Sequence, residues 1–140
     1  KDWRTILGYI GDIRFSLFFY NYPLLANTHR FLNVEITDIK DIVPMKIAAI
    51  ADRGVKRDFI DLYFIFEVKK ILTIDEALSL YDKKFKALTQ NKFHIIKSLG
   101  YFEDAEKDLM PQMVKKIDWQ RVKEFFIEEQ KALTKKLLRA

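Results

Sequence analysis

Two apolar runs separated by one polar turn dominate the hydropathy pattern, in the stretch 44–66, PMKIAAIADRGVKRDFIDLYFIF. Positions 45–51 hold a single charge before the turn, Lys46, and positions 59–66 hold Asp61 as their one central charge. A helix that is apolar on nearly every side is a buried one. A charge within it needs a partner or a ligand, because burial without one is costly. The pattern therefore predicts two core helices joined at Gly54, which suits a left-handed residue that stops the first of them. Asp52, Arg53, Lys56, Arg57 and Asp58 make the turn polar. Asp58 and Asp61 are three apart and Lys46 and Arg53 are seven apart, so each pair shares a helical face. Two facing helices of this kind bring basic groups and carboxylates together, as a polar site or as a structural Lys46–Asp61 ion pair beside solvated turn charges. Pattern alone leaves both open.

The rest of the chain supplies further elements. Residues 1–12 suggest the end of a helix followed by a turn marked by Gly8 and Gly11. The run IRFSLFFY at 13–20 is β-branched and aromatic, hence a strand stopped by Pro23. LLANTHRFLN reads as a connection, and NVEIT at 33–37 alternates as a short second strand. Thr37 or Asp38 can cap a helix whose first turn gains charge from Asp41, and Pro44 predicts a kink or a fresh start there. The next helix spans about Lys56 to Lys70. Thr73 and Glu76 form a capping box, followed by a stripe of Leu78, Tyr81, Phe85 and Leu88. A helix over 92–99 ends at Gly100. Glu103, Asp104, Glu106 and Asp108 suggest a solvated acidic loop, without the glycine of a calcium-binding loop. Asp118 caps a last helix with the stripe Val122, Phe126, Leu133 and Leu137. Its end carries Lys131, Lys135, Lys136 and Arg139, suited to its own dipole or to an RNA- or partner-facing patch. The fold class expected is α+β and mostly helical.

Composition narrows the class. A chain of 140 residues with 49% hydrophobic and 32% charged positions is a soluble globular domain with a real core. No apolar run reaches membrane-spanning length, no signal peptide is visible, and the absence of Cys excludes disulfides and thiolate metal sites. These features point to the cytoplasm and away from a membrane. The net charge of +5 is compatible with a polyanionic partner. His29 and His94 have no second ligand at helical spacing, so they read as core or surface residues.

The central stretch resembles the signature of the AbiEii/AbiGii-type nucleotidyltransferase toxins. In that family a Lys on an apolar helix precedes an Arg-Gly turn and a Lys-(Lys/Arg)-Asp-Phe-x-Asp-Leu segment. The matching residues are Lys46, Arg53, Gly54, Lys56, Arg57, Asp58, Phe59, Asp61 and Leu62. The segments FFYNYPLL, LGYFEDAE and IDWQRVKEFF add weaker similarity. The resemblance implies transfer of a nucleoside monophosphate from a nucleoside triphosphate (NTP) to RNA or another acceptor. Lys46, Asp58 and Asp61 would be catalytic; Arg53, Lys56 and Arg57 would bind substrate. Mg²⁺ would assist the complete enzyme, and a cognate antitoxin protein would be its partner. Asp61, set between apolar residues, is expected to be the structural carboxylate and Asp58 the functional one.

One departure stands out. The Gly-Ser turn and Asp-x-Asp pair that open the family's metal-binding half do not occur in residues 1–43. The 140 residues therefore read as a single domain or fragment: 1–37 the strand-rich edge of a nucleotidyltransferase sheet, 38–140 a helical part. No metal ligand is assigned within them, and by themselves they are expected to transfer no nucleotide. The alternative is a catalytically silent helical binding module that keeps the signature for folding. The upstream codons of the gene would separate the two.

Overall fold

The aromatic run after Gly11 forms a strand, and so does the segment before it. In the computed structural model, which describes residues 5–86 and 89–139, β1 (Thr5–Ile10) pairs antiparallel with β2 (Ile13–Phe18). The helix end expected over 1–12 is thus a strand from Thr5 onward, and residues 1–4 lie outside the described part. Glycine placement explains the difference. Gly11, at φ +59°, takes the first position of a tight turn between Ile10 and Ile13. Gly8 lies under Phe15, where a Cβ would stand 2.5 Å from the ring.

A second, separate pair joins β3 (His29–Phe31) to β4 (Val34–Ile36). β3 occupies the expected connection. Its two-residue turn is Leu32–Asn33, with Leu32 at φ +54°, a conformation bulky residues seldom adopt, so Asn33 is its one sequence signal.

Helices form the remainder. Asp38 caps α1 (Ile39–Arg53) by accepting the Lys40 N–H at 2.8 Å. α1 passes through Pro44 as one element instead of breaking. The carbonyl deprived of its donor belongs to Lys40, in the first turn of the helix. Gly54 is extended, at φ −70° and ψ 103°, and not left-handed. Its small size serves packing, since a Cβ there would stand 2.8 Å from the ring of Phe59. α2 (Lys56–Tyr63) continues into a π-helical turn over Phe64–Val68, closed by the Lys69 N–H on the Phe64 carbonyl at 2.8 Å. α3 (Ile74–Phe85) opens with the reciprocal Thr73–Glu76 capping box. Leu78, Tyr81 and Phe85 lie on α3, and Leu88 lies outside the described residues. α4 (Thr89–Leu99) follows, then α5 (Glu103–Lys107), a short helix where an acidic loop was expected. Ala105, fully buried, gives that segment an apolar anchor. α6 (Trp119–Arg139) starts beneath Asp118, which accepts the Gln120 N–H at 2.9 Å.

The core gathers around Phe59, fully buried at the start of α2. Its ring meets Phe102, Trp119 and Phe126 at centroid distances of 5.0, 6.1 and 5.2 Å. Ile47 and Ile50 of α1, Ile95 and Leu99 of α4, and Val122 and Leu133 of α6 pack into the same core. Among the described residues no helix is long and apolar enough to cross a membrane.

A buried ion pair ties the strand exit to the helices. Lys84 on α3 and Asp41 on α1 have no exposed side-chain surface, and Nζ lies 2.6 Å from Oδ1. Asp41 also accepts the N–H groups of Leu25 and Ala26 at 2.9–3.1 Å. Lys84 donates a further bond to the Pro23 carbonyl at 2.9 Å and stands 5.1 Å from the Tyr20 ring centroid. Burial alone would push the Asp41 carboxyl up, but the Lys84 ammonium and the two N–H groups outweigh it and hold it below the ordinary range. Its stabilising contribution is therefore full above about pH 4 and is lost as pH falls through the lower folded value. Asp41→Ala should destabilise the fold by about 3–5 kcal/mol at neutral pH, because it leaves a buried ammonium unmatched. Urea unfolding should also show a shallower loss of stability in acid than wild type. Equal midpoints at pH 7 would contradict this account.

Candidate functional site

The turn between α1 and α2 brings the signature residues together in part. Lys46 sits two residues past Pro44, on the side of α1 that faces α2. Its Nζ lies 2.8 Å from Asp58 Oδ1 and 2.7 Å from Asp61 Oδ2. The two carboxylates, one turn apart on α2, thus bracket one ammonium. Burial pulls the Lys46 pKa down, but the hydrogen bonds and charges of Asp58 and Asp61 outweigh it, and the group is raised above its ordinary value. Lys46 is therefore a permanent cation at neutral pH, suited to holding an anion and unsuited to removing a proton.

Exposure separates the carboxylates in the opposite sense from the sequence expectation. The Asp58 side chain is 10% exposed and that of Asp61 is 45% exposed, with Lys46 at 23% between them. Asp58 follows Val55 in the first turn of α2 and packs inward beside Phe59 and Ile60, whereas Asp61 lies toward the surface. Apolar sequence neighbours do not bury a helical residue; its angular position does. The Lys46–Asp61 pair open from the sequence is thus formed, with Asp58 as a second partner of the same ammonium.

The turn cations diverge. Lys56 is buried: its N–H donates to Asp108 Oδ2 at 2.9 Å and its ammonium to the Asp108 carbonyl at 2.6 Å. That ammonium also stands 5.3 Å from the Trp119 ring centroid. Val55 has no capping side chain, so Asp108 caps α2 from a distance. Arg57, exposed, lines a cleft of about 300 Å³ with Val55, Lys56, Asp108, Leu109 and Pro111. Arg53, also exposed, lines one of about 240 Å³ on the other side, with His94, Lys97 and Tyr101. His94 itself is held by the Ala51 carbonyl, 2.9 Å from Nε2.

A larger cleft of about 610 Å³ lies elsewhere, between the π-helical turn, the start of α3 and α6. Four carboxylates, Glu67, Asp75, Glu76 and Glu129, line it against one cation, Lys70. Burial first, and then the charge of Asp75, pushes the Glu129 carboxyl up. Such a negative surface repels phosphate, so size does not make it a nucleotide site.

The Asp41–Lys84 pair was not anticipated as a pair. A signal existed, since Ile74, Ala77, Tyr81 and Lys84 follow helical spacing, so the lysine falls on the buried stripe of α3.

The sequence model of the family described as "Nucleotidyl transferase AbiEii toxin, Type IV TA system" matches residues 14–138. A protein of Aquifex aeolicus (strain VF5), described as uncharacterized, is 39% identical over 124 residues. That match covers 87% of this chain and 58% of the relative, so the chain spans less than two thirds of that relative's length. No solved structure matches.

The site geometry orders two variants. Asp58→Ala should cost about 1–3 kcal/mol, since it removes a mostly buried partner of Lys46, and Asp61→Ala less than about 1 kcal/mol, as for exposed pairs. Chemical denaturation of both proteins checks this, and a larger loss for Asp61→Ala would reverse the assignment.

Proposed function

The chain belongs to the AbiEii nucleotidyl transferase toxin family of type IV toxin–antitoxin systems, and from that premise we propose that Lys46 is the triphosphate contact of the whole protein's transfer reaction. One observation carries this. An ammonium has three N–H donors; two go to Asp58 and Asp61, and the third remains for a phosphate oxygen on the partly exposed side. The carboxylates keep the lysine charged and fix its direction, so its charge meets a phosphate without rearrangement.

In the reaction proposed, an acceptor hydroxyl attacks the α-phosphate of an NTP. An O–P bond forms, the bond to the β-phosphate oxygen breaks, pyrophosphate leaves, and the hydroxyl proton passes to a base. Lys46 holds the triphosphate, and Asp61, half exposed beside it, orients the acceptor. Asp58 positions Lys46. Arg53 and Arg57, exposed at the two sides of the turn, are the cations available to the outer phosphates or to RNA. Lys56 belongs with them by resemblance, but its ammonium is committed to Asp108. RNA as acceptor and a cognate antitoxin partner belong to the same reading.

Mg²⁺ would neutralise the triphosphate in such a reaction, but the residues here do not suit it. Among the described residues no group of three His, Asp or Glu side chains is arranged to hold a metal ion, and Asp58 and Asp61 converge on an ammonium instead. Residues 1–37 would form the strand-rich edge of a nucleotidyltransferase sheet and 38–140 the helical part. The exposed apolar face of the β1–β2 hairpin supports that division: Ile6, Ile10, Ile13 and Leu17 are all exposed, and a lone hairpin is marginal in water.

Lys46→Met in the whole protein should lower transfer of labelled NTP into cellular RNA by at least about a hundredfold, as loss of one charge-stabilising donor does, while the helical circular-dichroism spectrum persists. Undiminished transfer would leave Lys46 as a structural ion-pair partner only. Residues 1–140 alone should incorporate no label. Incorporation that disappears in Asp58→Ala would place the catalytic carboxylates here.

A further inference from the structure

Asp61 has a second neighbourhood. On the side away from the α1–α2 turn, it lines a cleft of about 340 Å³ with Ile60 and Phe64 of α2 and its π-helical turn, and with Met113, Val114 and Lys115. The last three belong to the irregular segment between α5 and α6. Val114 is fully exposed, and Lys115 and Lys116 are exposed beside it. The volume falls in the range of small-ligand clefts, about 300–1,000 Å³.

We infer that this cleft seats one nucleotide of a single-stranded RNA, its base against Phe64, Met113 and Val114, its phosphate on Lys115 and its ribose hydroxyl on Asp61. The inference rests on the transfer reading given above and extends it by naming where the acceptor docks. Charge complementarity favours this occupant. The cleft offers an aromatic face, apolar walls, one cation and one half-exposed carboxylate, which match a flat base, a phosphate and a hydroxyl. Asp61 is already paired with Lys46, so the free cation at the cleft is Lys115, which an apolar peptide would leave unmatched and a phosphate would match. Stacking on such a surface is tolerant of sequence, because every base has a flat π-face, and a carboxylate at the ribose distinguishes RNA from DNA through the 2′-hydroxyl. The position also serves the reaction, since the residue that orients the acceptor is the one that holds Lys46.

The test is binding. Fluorescence anisotropy with a short, labelled, mixed-sequence RNA single strand should show saturable binding by the wild-type chain, weaker for the DNA strand of the same sequence. Val114→Asp and Lys115→Glu change exposed side chains and should leave the fold intact, which circular dichroism verifies. Each should weaken RNA binding by about tenfold, the scale of one lost stacking or phosphate contact. No binding by wild type, or two variants that bind as wild type does, would overturn the inference. RNA binding that is sensitive to both variants, in a whole protein with no transfer activity, would remove the proposed reaction and keep the cleft. Transfer with binding indifferent to both variants would do the reverse.

Discussion

A lysine with no exposed side-chain surface must meet an anion, and Lys84 meets Asp41. Nearly every long-range constraint at the strand exit follows from that demand. Asp41 has more lone pairs than one ammonium can fill, so it also takes the N–H groups of Leu25 and Ala26. Lys84 in turn takes the Pro23 carbonyl. An irregular stretch of backbone is thereby bound to α1 and α3 by charge-assisted hydrogen bonds where apolar packing could not satisfy its polar groups. A run of aromatic contacts, from Phe18 through Tyr20 and Tyr22 to Phe85, follows the same path.

Lys46 meets the same demand in a different setting. Its two carboxylates, Asp58 and Asp61, are unequal in exposure, and the ammonium remains partly open to solvent. A closed pair such as Asp41–Lys84 has its bonding capacity used within the fold. The Lys46 group keeps a donor and a half-exposed carboxylate at the surface, where a phosphate and a hydroxyl can be matched. The contrast between these two lysines separates a structural ion pair from a candidate site better than sequence spacing does.

Packing at the turn sets where that site opens. Gly54 admits the Phe59 ring, and Phe59 anchors α2 against Phe102, Trp119 and Phe126. With Phe59 inward, Asp58 is carried inward beside it and Asp61 outward, one turn later. The neighbouring Lys56 is drawn to Asp108 and Trp119. The charges that look continuous in sequence are divided by the fold into a bracketed lysine, a buried lysine held by Asp108 and two exposed arginines.

The sequence by itself determined much of the local structure. The two apolar helices, the Thr73–Glu76 capping box, the Asp38 and Asp118 caps and the Val122–Phe126–Leu133 stripe depend on neighbours within a turn. The central stretch also carried the family resemblance, because Lys46, Arg53, Gly54, Asp58 and Asp61 lie within one short segment. Tertiary structure decided what depends on distant residues. β1 formed because Gly8 could sit beneath Phe15, and α1 continued through Pro44, which packs fully buried. Which of Asp58 and Asp61 is buried depended on where Phe59 points. The pairing of Asp41 with Lys84, forty-three positions apart, depended on α1 and α3 packing together. Periodicity can place a charge on a buried face, but only the packed structure supplies the partner that makes its burial stable.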